Sequence, residues 1–187
     1  KYPEYIFGAS QPQHYQFMKD QYPEIYAKIK EAIKSGNWEV QGGMWVEADC
    51  NLISGESMVR QLLHGKNFFK DEFDIVVDNL WLPDVFGYSA ALPQILKRAG
   101  VNYFLTQKLS WSQFNDFPHQ TFNWRGIDGT EILTHFPPEN TYNSELDTEF
   151  LLPAQKGFKE KDRLNEFISL FGVGDGGGGP KPENIEL

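Results

Sequence analysis

Asp84 is the residue whose type and position most strongly suggest chemistry, and it lies within residues 81–89, WLPDVFGYS. The apolar run at residues 74–81 predicts a buried strand, and residues 90–100 predict a helix that ends at a glycine. Asp84 is therefore expected on a strand-to-helix loop, where α/β enzymes keep nucleophiles and metal ligands. An aspartate that only caps the following helix fits the same position.

The side chains around Asp84 favour a carbohydrate ligand. Trp81, Phe86 and Tyr88 offer flat faces of the kind that stack on a sugar ring, and Gly87 would let backbone approach a ligand closely. The whole chain is rich in such side chains, with five Trp, eight Tyr and fifteen Phe among 187 residues. That number exceeds what a minimal core needs, and a sugar-binding cleft is one use for the surplus.

A second group of polar and aromatic residues follows Gly42 and Gly43 at the end of another predicted strand. Trp45, Glu47 and Asp49 alternate along the chain, which predicts that they share one face. We expect them to shape the entrance to a binding site. Glu47 is also a candidate proton donor, although a structural hydrogen bond is an equally good interpretation.

Charge and composition exclude several classes of function. The formal net charge of −9 argues against nucleic acid and anionic membrane as partners, because both select clustered Lys and Arg. No apolar stretch approaches the roughly 18 residues of a membrane span, and the N-terminal residues have no signal-peptide pattern. Cys50 is the single cysteine, so no intrachain disulfide is expected, which fits a reducing, cytoplasmic location.

Predicted strands and helices alternate along the chain, which indicates an α/β fold with a mainly parallel sheet. The predicted strands are residues 5–10, 38–43, 75–81, 102–106, 131–136 and 167–173. The predicted helices are residues 13–20, 23–34, 56–73, 92–99 and a polar segment at 148–166. Within the long helix, the amphipathic pattern predicts these core contacts: Met58, Leu62, Leu63, Phe69 and Phe73.

Seven ordered blocks carry a resemblance to a known family. They are GGMWVEAD at 42–49, WLPDVFGYS at 81–89, YFLTQKLSW at 103–111, NDFPH at 115–119, GIDGT at 126–130, HFPP at 135–138 and GVGDGGGGP at 172–180. Through them the chain resembles glycoside hydrolase family 38, the class II α-mannosidases, most closely the cytosolic and vacuolar type and its bacterial relatives. The resemblance runs from about Tyr5 to Pro180. It implies a seven-stranded β/α barrel, here incomplete, with residues 1–187 forming the central portion of the catalytic domain and both ends of that domain absent.

The resemblance implies a retaining, zinc-dependent α-mannosidase that hydrolyses terminal α-mannosyl linkages of mannose-containing oligosaccharides. Asp84 matches the family aspartate that attacks the anomeric carbon and gives one oxygen to the zinc ion. The other ligands in the family are two histidines and a further aspartate, and no His-x-Asp pair occurs here. The remaining ligands are therefore expected outside this chain, and the isolated fragment is expected to be inactive.

None of the four histidines is expected to be a metal ligand or a catalytic residue. Three of them, His14, His64 and His119, are expected to be structural. His135 ends a predicted strand, so it could line the wall of the site.

Three further residues acquire candidate roles through the resemblance. Asp175 follows the last predicted strand and opens a glycine run, so it is the best candidate for the general acid and base, although it could equally organise the glycine loop. Lys108 stands where other family subgroups have an arginine, and it is expected to make a single-point contact with Asp84 or a sugar hydroxyl. Tyr142 matches a tyrosine that lines the sugar subsite.

Other interpretations of the chain are weaker or remain open. Gly172, Gly174 and Gly177 satisfy a dinucleotide-binding pattern, but the prolines at 180 and 182 obstruct the helix that should follow. A non-catalytic carbohydrate-binding module and a metal-dependent polysaccharide deacetylase-like barrel are the two rival functions. Linkage preference and oligomeric state do not follow from the sequence.

Overall fold

The computed structural model describes residue 3, residues 5–174 and residues 182–185 of the chain. Helices and strands alternate through most of this part, so the predicted α/β class is confirmed. The strands are β1 (Phe7–Ala9), β2 (Trp38–Val40), β3 (Asn79–Leu82), β4 (Tyr103–Thr106), β5 (Thr121–Arg125) and β6 (Glu131–His135). The helices are α1 (Pro12–Gln21), α2 (Pro23–Ser35), α3 (Gly55–Phe73), α4 (Leu92–Arg98), α5 (Thr148–Gly157) and α6 (Pro182–Ile185), with a 3₁₀ helix at Lys108–Trp111.

The strands form two sheets within the described residues. One contains β1 and β2 in parallel, and the other has the order β3-β4-β6-β5. Three of the four strand pairs are parallel, and β5 is antiparallel to β6. The mainly parallel character is thus confirmed, whereas the six strands in the described part of the chain do not confirm the incomplete seven-stranded barrel.

Asn79 connects the two sheets through its side chain. Its Nδ2 donates to Gln41 Oε1 at 2.7 Å, and its Oδ1 accepts from the backbone N–H of Gly42 at 2.8 Å. Asn79 begins β3, and the two residues that it binds directly follow β2. The carboxyl end of β2 is therefore held beside β3 without a backbone ladder.

Helices cover one face of the larger sheet. Leu80, Leu82, Phe104 and Ile132 alternate along β3, β4 and β6 on this face, and all are nearly inaccessible to solvent. They pack in one cluster with these residues of α3 and α4: Met58, Leu62, Leu92 and Leu96. A second cluster joins α1, α2 and α3 to β2, with Tyr15 and Phe69 among its buried members.

The predicted core face of α3 is mostly correct. Met58, Leu62 and Phe69 are buried, and Phe73 packs against the second cluster. Leu63 is half exposed, so its prediction as a core residue is wrong. Phe68, which was not predicted, is buried instead.

Several predicted elements differ from the structure, and one strand was not predicted. Residues 167–173 form no strand, and Leu170 instead uses its carbonyl oxygen to accept the N–H of Ser144 at 2.8 Å. The strand β5 was missed, although Asp128 and Gly129 mark the turn that pairs it with β6. The helix predicted to reach residue 166 ends at Gly157, and β3 begins four residues later than predicted.

Gly65 sets the distance between α3 and the chain that follows β2. A Cβ atom at this position would lie 2.3 Å from Gly43 O and 2.8 Å from Trp45 N. The helix backbone therefore contacts the loop backbone directly. This close approach fixes the loop that carries Glu47.

No helix in residues 3, 5–174 and 182–185 is long and apolar enough to cross a membrane.

Candidate functional site

Asp84 and Lys108 meet at the carboxyl ends of β3 and β4. The parallel register places Leu82 opposite Thr106, so the residues two positions further on are neighbours. Lys108 Nζ lies 2.7 Å from Asp84 Oδ1, which is the predicted single-point contact. The Asp84 side chain is 41% exposed, whereas that of Lys108 is only 4% exposed. Asp84 does not cap the next helix, because the N-cap of α4 is Ala91.

Three aromatic rings surround the Lys108 ammonium group. Its Nζ lies 3.4 Å from the ring centroid of Trp111 and 5.1 Å from those of Phe86 and Tyr142. An ammonium over an aromatic face is attracted by the ring quadrupole, by about 2 kcal/mol when the pair is desolvated. The buried charge is therefore compensated by one carboxylate and three rings.

Gln107 braces the two loops that carry these rings. Its buried side chain donates from Nε2 to Ser110 Oγ at 3.0 Å and to Asn140 O at 2.5 Å. Ser110 follows β4 beside Lys108, and Asn140 lies on the loop after β6 that leads to Tyr142. The Oε1 atom of Gln107 is buried and has no hydrogen-bond partner among the described residues.

Tyr142 also contacts the chain that leads to Asp175. A Cβ atom on Gly174 would lie 2.8 Å from Tyr142 Cε2, so the backbone at 174 runs directly beside this ring. Asp175 and the glycine run after it lie outside the described residues.

Tyr88 anchors the Asp84 loop to the sheet. Its hydroxyl group donates to Val85 O at 3.1 Å and also contacts Thr106 Oγ1. The ring packs edge-on against Phe104, with 5.5 Å between centroids. Burial raises the pKa of the phenol, and the nearby acidic groups, including Asp84, raise it further. The expectation that Tyr88 offers a stacking face is thus wrong, because the ring is used in packing.

Gly87 accommodates a side chain of the protein itself. Its φ is +100°, and a Cβ atom would fall 1.9 Å from Asn51 Nδ2. Asn51 Nδ2 donates to Phe86 O at 2.8 Å. The close approach predicted at Gly87 therefore exists, but the group that approaches is Asn51.

Glu47 belongs to the loop after β2 and lies within electrostatic range of Asp84. Its Oε1 accepts from Ser10 Oγ at 2.8 Å, and its backbone N–H donates to Gln11 Oε1 at 3.2 Å. Burial raises the pKa of the Glu47 carboxyl, the Ser10 hydrogen bond opposes this shift, and the charge of Asp84 adds to it. Glu47 is therefore a carboxyl group whose environment favours retention of a proton.

Trp45 and Asp49 do not share a face with Glu47, because residues 41–50 form an irregular loop and not a strand. The Trp45 ring packs edge-on against Phe68, and its Nε1 donates to Gln13 Oε1 at 2.9 Å. Asp49 Oδ1 accepts from the backbone N–H of Asn51 at 2.7 Å. The prediction of one common face is wrong, and only Glu47 of the three has a recorded interaction with Asp84.

Both ring nitrogens of His135 take part in hydrogen bonds. Nδ1 is 2.8 Å from Thr121 Oγ1, and Nε2 accepts from the Ile168 backbone at 3.4 Å. Burial lowers the pKa of the ring. His119 Nδ1 lies 3.2 Å from Glu160 Oε1.

The described residues do not form a metal site by themselves. No group of three or more His, Cys, Asp or Glu side chains in residues 5–174 is arranged to hold an ion. Asp84 offers carboxylate oxygens to solvent, and among the described residues its ion pair is with Lys108.

Trp111 and Gln107 are the residues that sequence reasoning missed. Lys108 and Trp111 are the first and last residues of the 3₁₀ helix. Since a 3₁₀ helix has three residues per turn, residues i and i+3 are eclipsed, and this spacing brings the two side chains together. The sequence shows that Lys108 and Trp111 are three residues apart, but this spacing alone does not predict a 3₁₀ helix.

The fold is α/β, and Asp84 and Lys108 meet at the carboxyl ends of two of its parallel strands. Residues 1–187, the whole chain, match the family described as glycosyl hydrolases family 38, N-terminal domain. The chain belongs to this family.

Three relatives show how far the similarity extends. Alpha-mannosidase G of Dictyostelium discoideum is 51% identical over 185 residues, which are 99% of this chain. Alpha-mannosidase 2C1 of Homo sapiens is 50% identical over 178 residues, or 95% of the chain. Alpha-mannosidase of Saccharomyces cerevisiae is 43% identical over all 187 residues. The chain spans 17% of the length of each of these relatives.

Solved structures support the fold alone. An alpha-mannosidase from Enterococcus faecalis superposes with a TM-score of 0.56 at 21% identity, over 75% of this chain and 16% of that one. The 4-alpha-glucanotransferase of Thermococcus litoralis gives a TM-score of 0.58 at 16% identity, over 71% of this chain and 21% of that one.

Proposed function

We propose that the native polypeptide is a retaining α-mannosidase that hydrolyses terminal α-mannosyl linkages of mannose-containing oligosaccharides, with Asp84 as nucleophile. The observation that supports this most is the exposed Asp84 carboxylate, held by Lys108 at the end of adjacent parallel strands. Membership of family 38 and about 50% identity to alpha-mannosidases support the substrate class. Residues 1–187 are proposed to be part of the catalytic domain.

The proposed reaction has two steps. Asp84 attacks the anomeric carbon as the bond to the leaving oxygen breaks, and a general acid gives that oxygen a proton. A glycosyl ester on Asp84 results. A water molecule, deprotonated by the same group, then attacks the anomeric carbon and frees Asp84, so the configuration is retained. The ion pair of Lys108 with Oδ1 leaves Oδ2 of Asp84 for attack.

Asp175 is the proposed general acid and base. The backbone at Gly174, one residue earlier, lies beside Tyr142, whose ring is 5.1 Å from the Lys108 ammonium that pairs with Asp84. Glu47 is the second candidate, and its raised pKa is the observation in its favour. A proton donor must hold its proton near neutral pH, and burial beside another carboxylate is the usual way to achieve this.

Tyr142 and Lys108 are the proposed sugar-contacting residues beside Asp84. Trp45 and Asp49 are proposed to act at the entrance through the loop after β2, which their contacts with Gln13 and Asn51 help to fix.

We also propose that Asp84 contributes an oxygen ligand to a zinc ion whose other ligands come from outside this chain. Bound zinc would add positive charge beside the sugar hydroxyl groups. Because the described residues do not complete such a site, no catalytic step is assigned to the metal.

Elemental mass spectrometry of the purified native polypeptide tests the proposal that Asp84 is a zinc ligand. We expect about one zinc per molecule, and we expect an Asp84→Ala variant to retain less. Equal zinc content in both proteins would remove Asp84 from the ligand set.

Covalent trapping tests the proposed nucleophile. A fluorinated mannosyl fluoride, which slows the second step more than the first, is incubated with the native polypeptide at its natural length, and peptides are examined by mass spectrometry. We expect a mannosyl adduct on Asp84. An adduct on another carboxylate would reassign the nucleophile, and binding of mannosides without any hydrolysis would favour a carbohydrate-binding module. Release of acetate from an acetylated polysaccharide would favour a deacetylase.

A cytoplasmic location is proposed on the presence of a single cysteine, Cys50, which is unpaired in the structure. Fractionation of cells that express the native polypeptide tests it. Recovery of the protein in a secretory compartment would contradict it.

A further inference from the structure

Lys108 is buried in a place where an ammonium group would normally be unstable. Its side chain is 4% exposed, and the ion pair with Asp84 Oδ1 accounts for one of its three N–H groups. Removing an ammonium from water is costly unless other groups replace the lost hydration. Something in the protein must therefore supply that replacement.

Trp111 is the closest of the three rings that do so. The Lys108 Nζ is 3.4 Å from its centroid, against 5.1 Å for Phe86 and Tyr142. Indole is also the aromatic ring that attracts a cation most strongly. Most of the favourable contact between the cation and the aromatic rings is thus concentrated on Trp111.

The backbone makes this contact rigid. Lys108 and Trp111 are the two ends of one 3₁₀ turn, in which residues i and i+3 stand directly above each other. Gln107 and Ser110 tie the same turn together, because Ser110 Oγ donates to Gln107 O at 2.8 Å. Phe86 meets the Trp111 ring edge-on, with 6.3 Å between centroids. The indole is therefore oriented from two sides.

We infer that Trp111 is a positioning residue, which holds the Lys108 ammonium against Asp84 and so fixes the orientation of the attacking carboxylate. Trp111 remains 59% exposed, so the ring is not retained to fill the core. The Lys108 aliphatic chain alone would allow the ammonium to swing into solvent, as lysine side chains do at surfaces. The indole ring of Trp111 blocks this movement of the ammonium group into solvent.

Chemical labelling of Lys108 tests the geometry without relying on the proposed mannosidase function. The native polypeptide is treated with an acetylating ester, and the rate at Lys108 is measured by peptide mass spectrometry relative to the exposed Lys97. We expect Trp111→Leu to raise the relative rate at least tenfold, because water and reagent then reach the ammonium. Trp111→Phe keeps an aromatic face and should raise it less than threefold. An unchanged rate in Trp111→Leu would overturn the inference.

Phe114 provides the matched control. It lies three residues further along the chain and is 85% exposed. Phe114→Leu should leave the Lys108 labelling rate unchanged. If this variant raises the rate as much as Trp111→Leu does, the loop has merely loosened, and the specific role of Trp111 is excluded.

A double-mutant cycle tests the consequence for catalysis, which rests on the proposed function. We expect Trp111→Leu to lower kcat/KM for an aryl α-mannoside about thirtyfold, and Lys108→Met to lower it at least as much. In the Lys108→Met background, Trp111→Leu should cost less than threefold, because its effect passes through the lysine. Additive losses would overturn the inference. If the wild-type polypeptide hydrolyses no mannoside, the proposed function fails, while the labelling result still decides the role of Trp111.

Discussion

The loops after β2 and β3 each carry a carboxylate, and the two carboxylates have opposite environments. Asp84 is open to solvent and paired with the Lys108 ammonium. Glu47 is partly buried, accepts a hydrogen bond from Ser10 and has a raised pKa. A pair of carboxyl groups with different surroundings is the usual basis for separate roles as nucleophile and proton carrier. The surroundings, more than the residue type, thus distinguish what each can do.

The two loops are also held by different means. Tyr88 and Asn51 fix the Asp84 loop through hydrogen bonds to its backbone oxygens. The Glu47 loop is fixed by helix α3, where Gln61 accepts from Trp45 N at 3.0 Å and from Val46 N at 2.9 Å. Gly65 makes that approach possible. The Asp84 loop is therefore held by hydrogen bonds from two side chains, whereas the Glu47 loop is held by hydrogen bonds to Gln61 together with the close packing of helix α3.

The largest expected effect is that of Asp84→Asn. The amide cannot attack as a carboxylate does, so kcat/KM of the native polypeptide for an aryl α-mannoside should fall at least about 10³-fold. Asp128→Asn, in the exposed hairpin turn, is the control and should keep wild-type activity. More than a tenth of wild-type activity in Asp84→Asn would break the distinction between the two carboxylates.

The proton donor can be identified from how each loss depends on the leaving group. Asp175→Asn should lower kcat/KM by about 10²-fold to 10⁴-fold on a disaccharide, and far less on a mannoside whose leaving group needs no proton. Glu47→Gln should cost about tenfold or less, equally on both substrates. If Glu47→Gln instead shows the large loss that depends on the leaving group, Glu47 is the proton donor. The loops after β2 and β3 would then carry the two catalytic carboxyl groups.

Gly65→Ala should destabilise the protein through the loop after β2. The added methyl group would meet backbone atoms of Gly43 and Trp45, which cannot rotate away. We expect a decrease of about 3 kcal/mol in the free energy of unfolding, measured by urea denaturation. Gly55→Ala is the control, because a Cβ there has nothing within 4 Å, and it should be neutral or slightly stabilising. Equal effects of the two substitutions would contradict helix packing as the anchor of this loop.

The smallest expected effect is the pH dependence of the stability change in Glu47→Gln. A carboxyl whose pKa is raised by folding stabilises the fold below its unfolded pKa, and this contribution is lost as the pH rises through the folded value. Gln resembles the protonated form, so the variant should gain in Tm relative to wild type between pH 4 and pH 7. Glu39→Gln, on the exposed side of β2, should show no such trend. A constant difference across this range would mean that burial does not perturb Glu47.

Much of the fold could be predicted because apolar periodicity and end signals agree. Helix α3 was predicted to within one residue, since Ser54 caps its start and Phe73 ends its apolar face. Residues 167–173 were misassigned as a strand, because a short apolar run looks the same whether it pairs or only packs. The run pairs with no strand in the part of the chain described here.

One part of the site could be predicted from the sequence, whereas another part could not. The Lys108 contact with Asp84 was expected from the family resemblance, and it agrees with parallel strands that bring their carboxyl ends together. The common face of Trp45, Glu47 and Asp49 could not hold, because Gly42 adopts a φ of +65° and turns the chain out of the strand. Alternation predicts side-chain direction only while the backbone stays extended.

Asn79 joins two sheets that share no ladder between β2 and β3 in the described residues. One amide group thus acts as a pin between the two sheets, one of which leads to Glu47 and the other to Asp84. A shorter or apolar side chain at position 79 would let the two sheets shift relative to each other. The distance between Glu47 and Asp84 would then change, although both acids and every residue that touches them stayed the same.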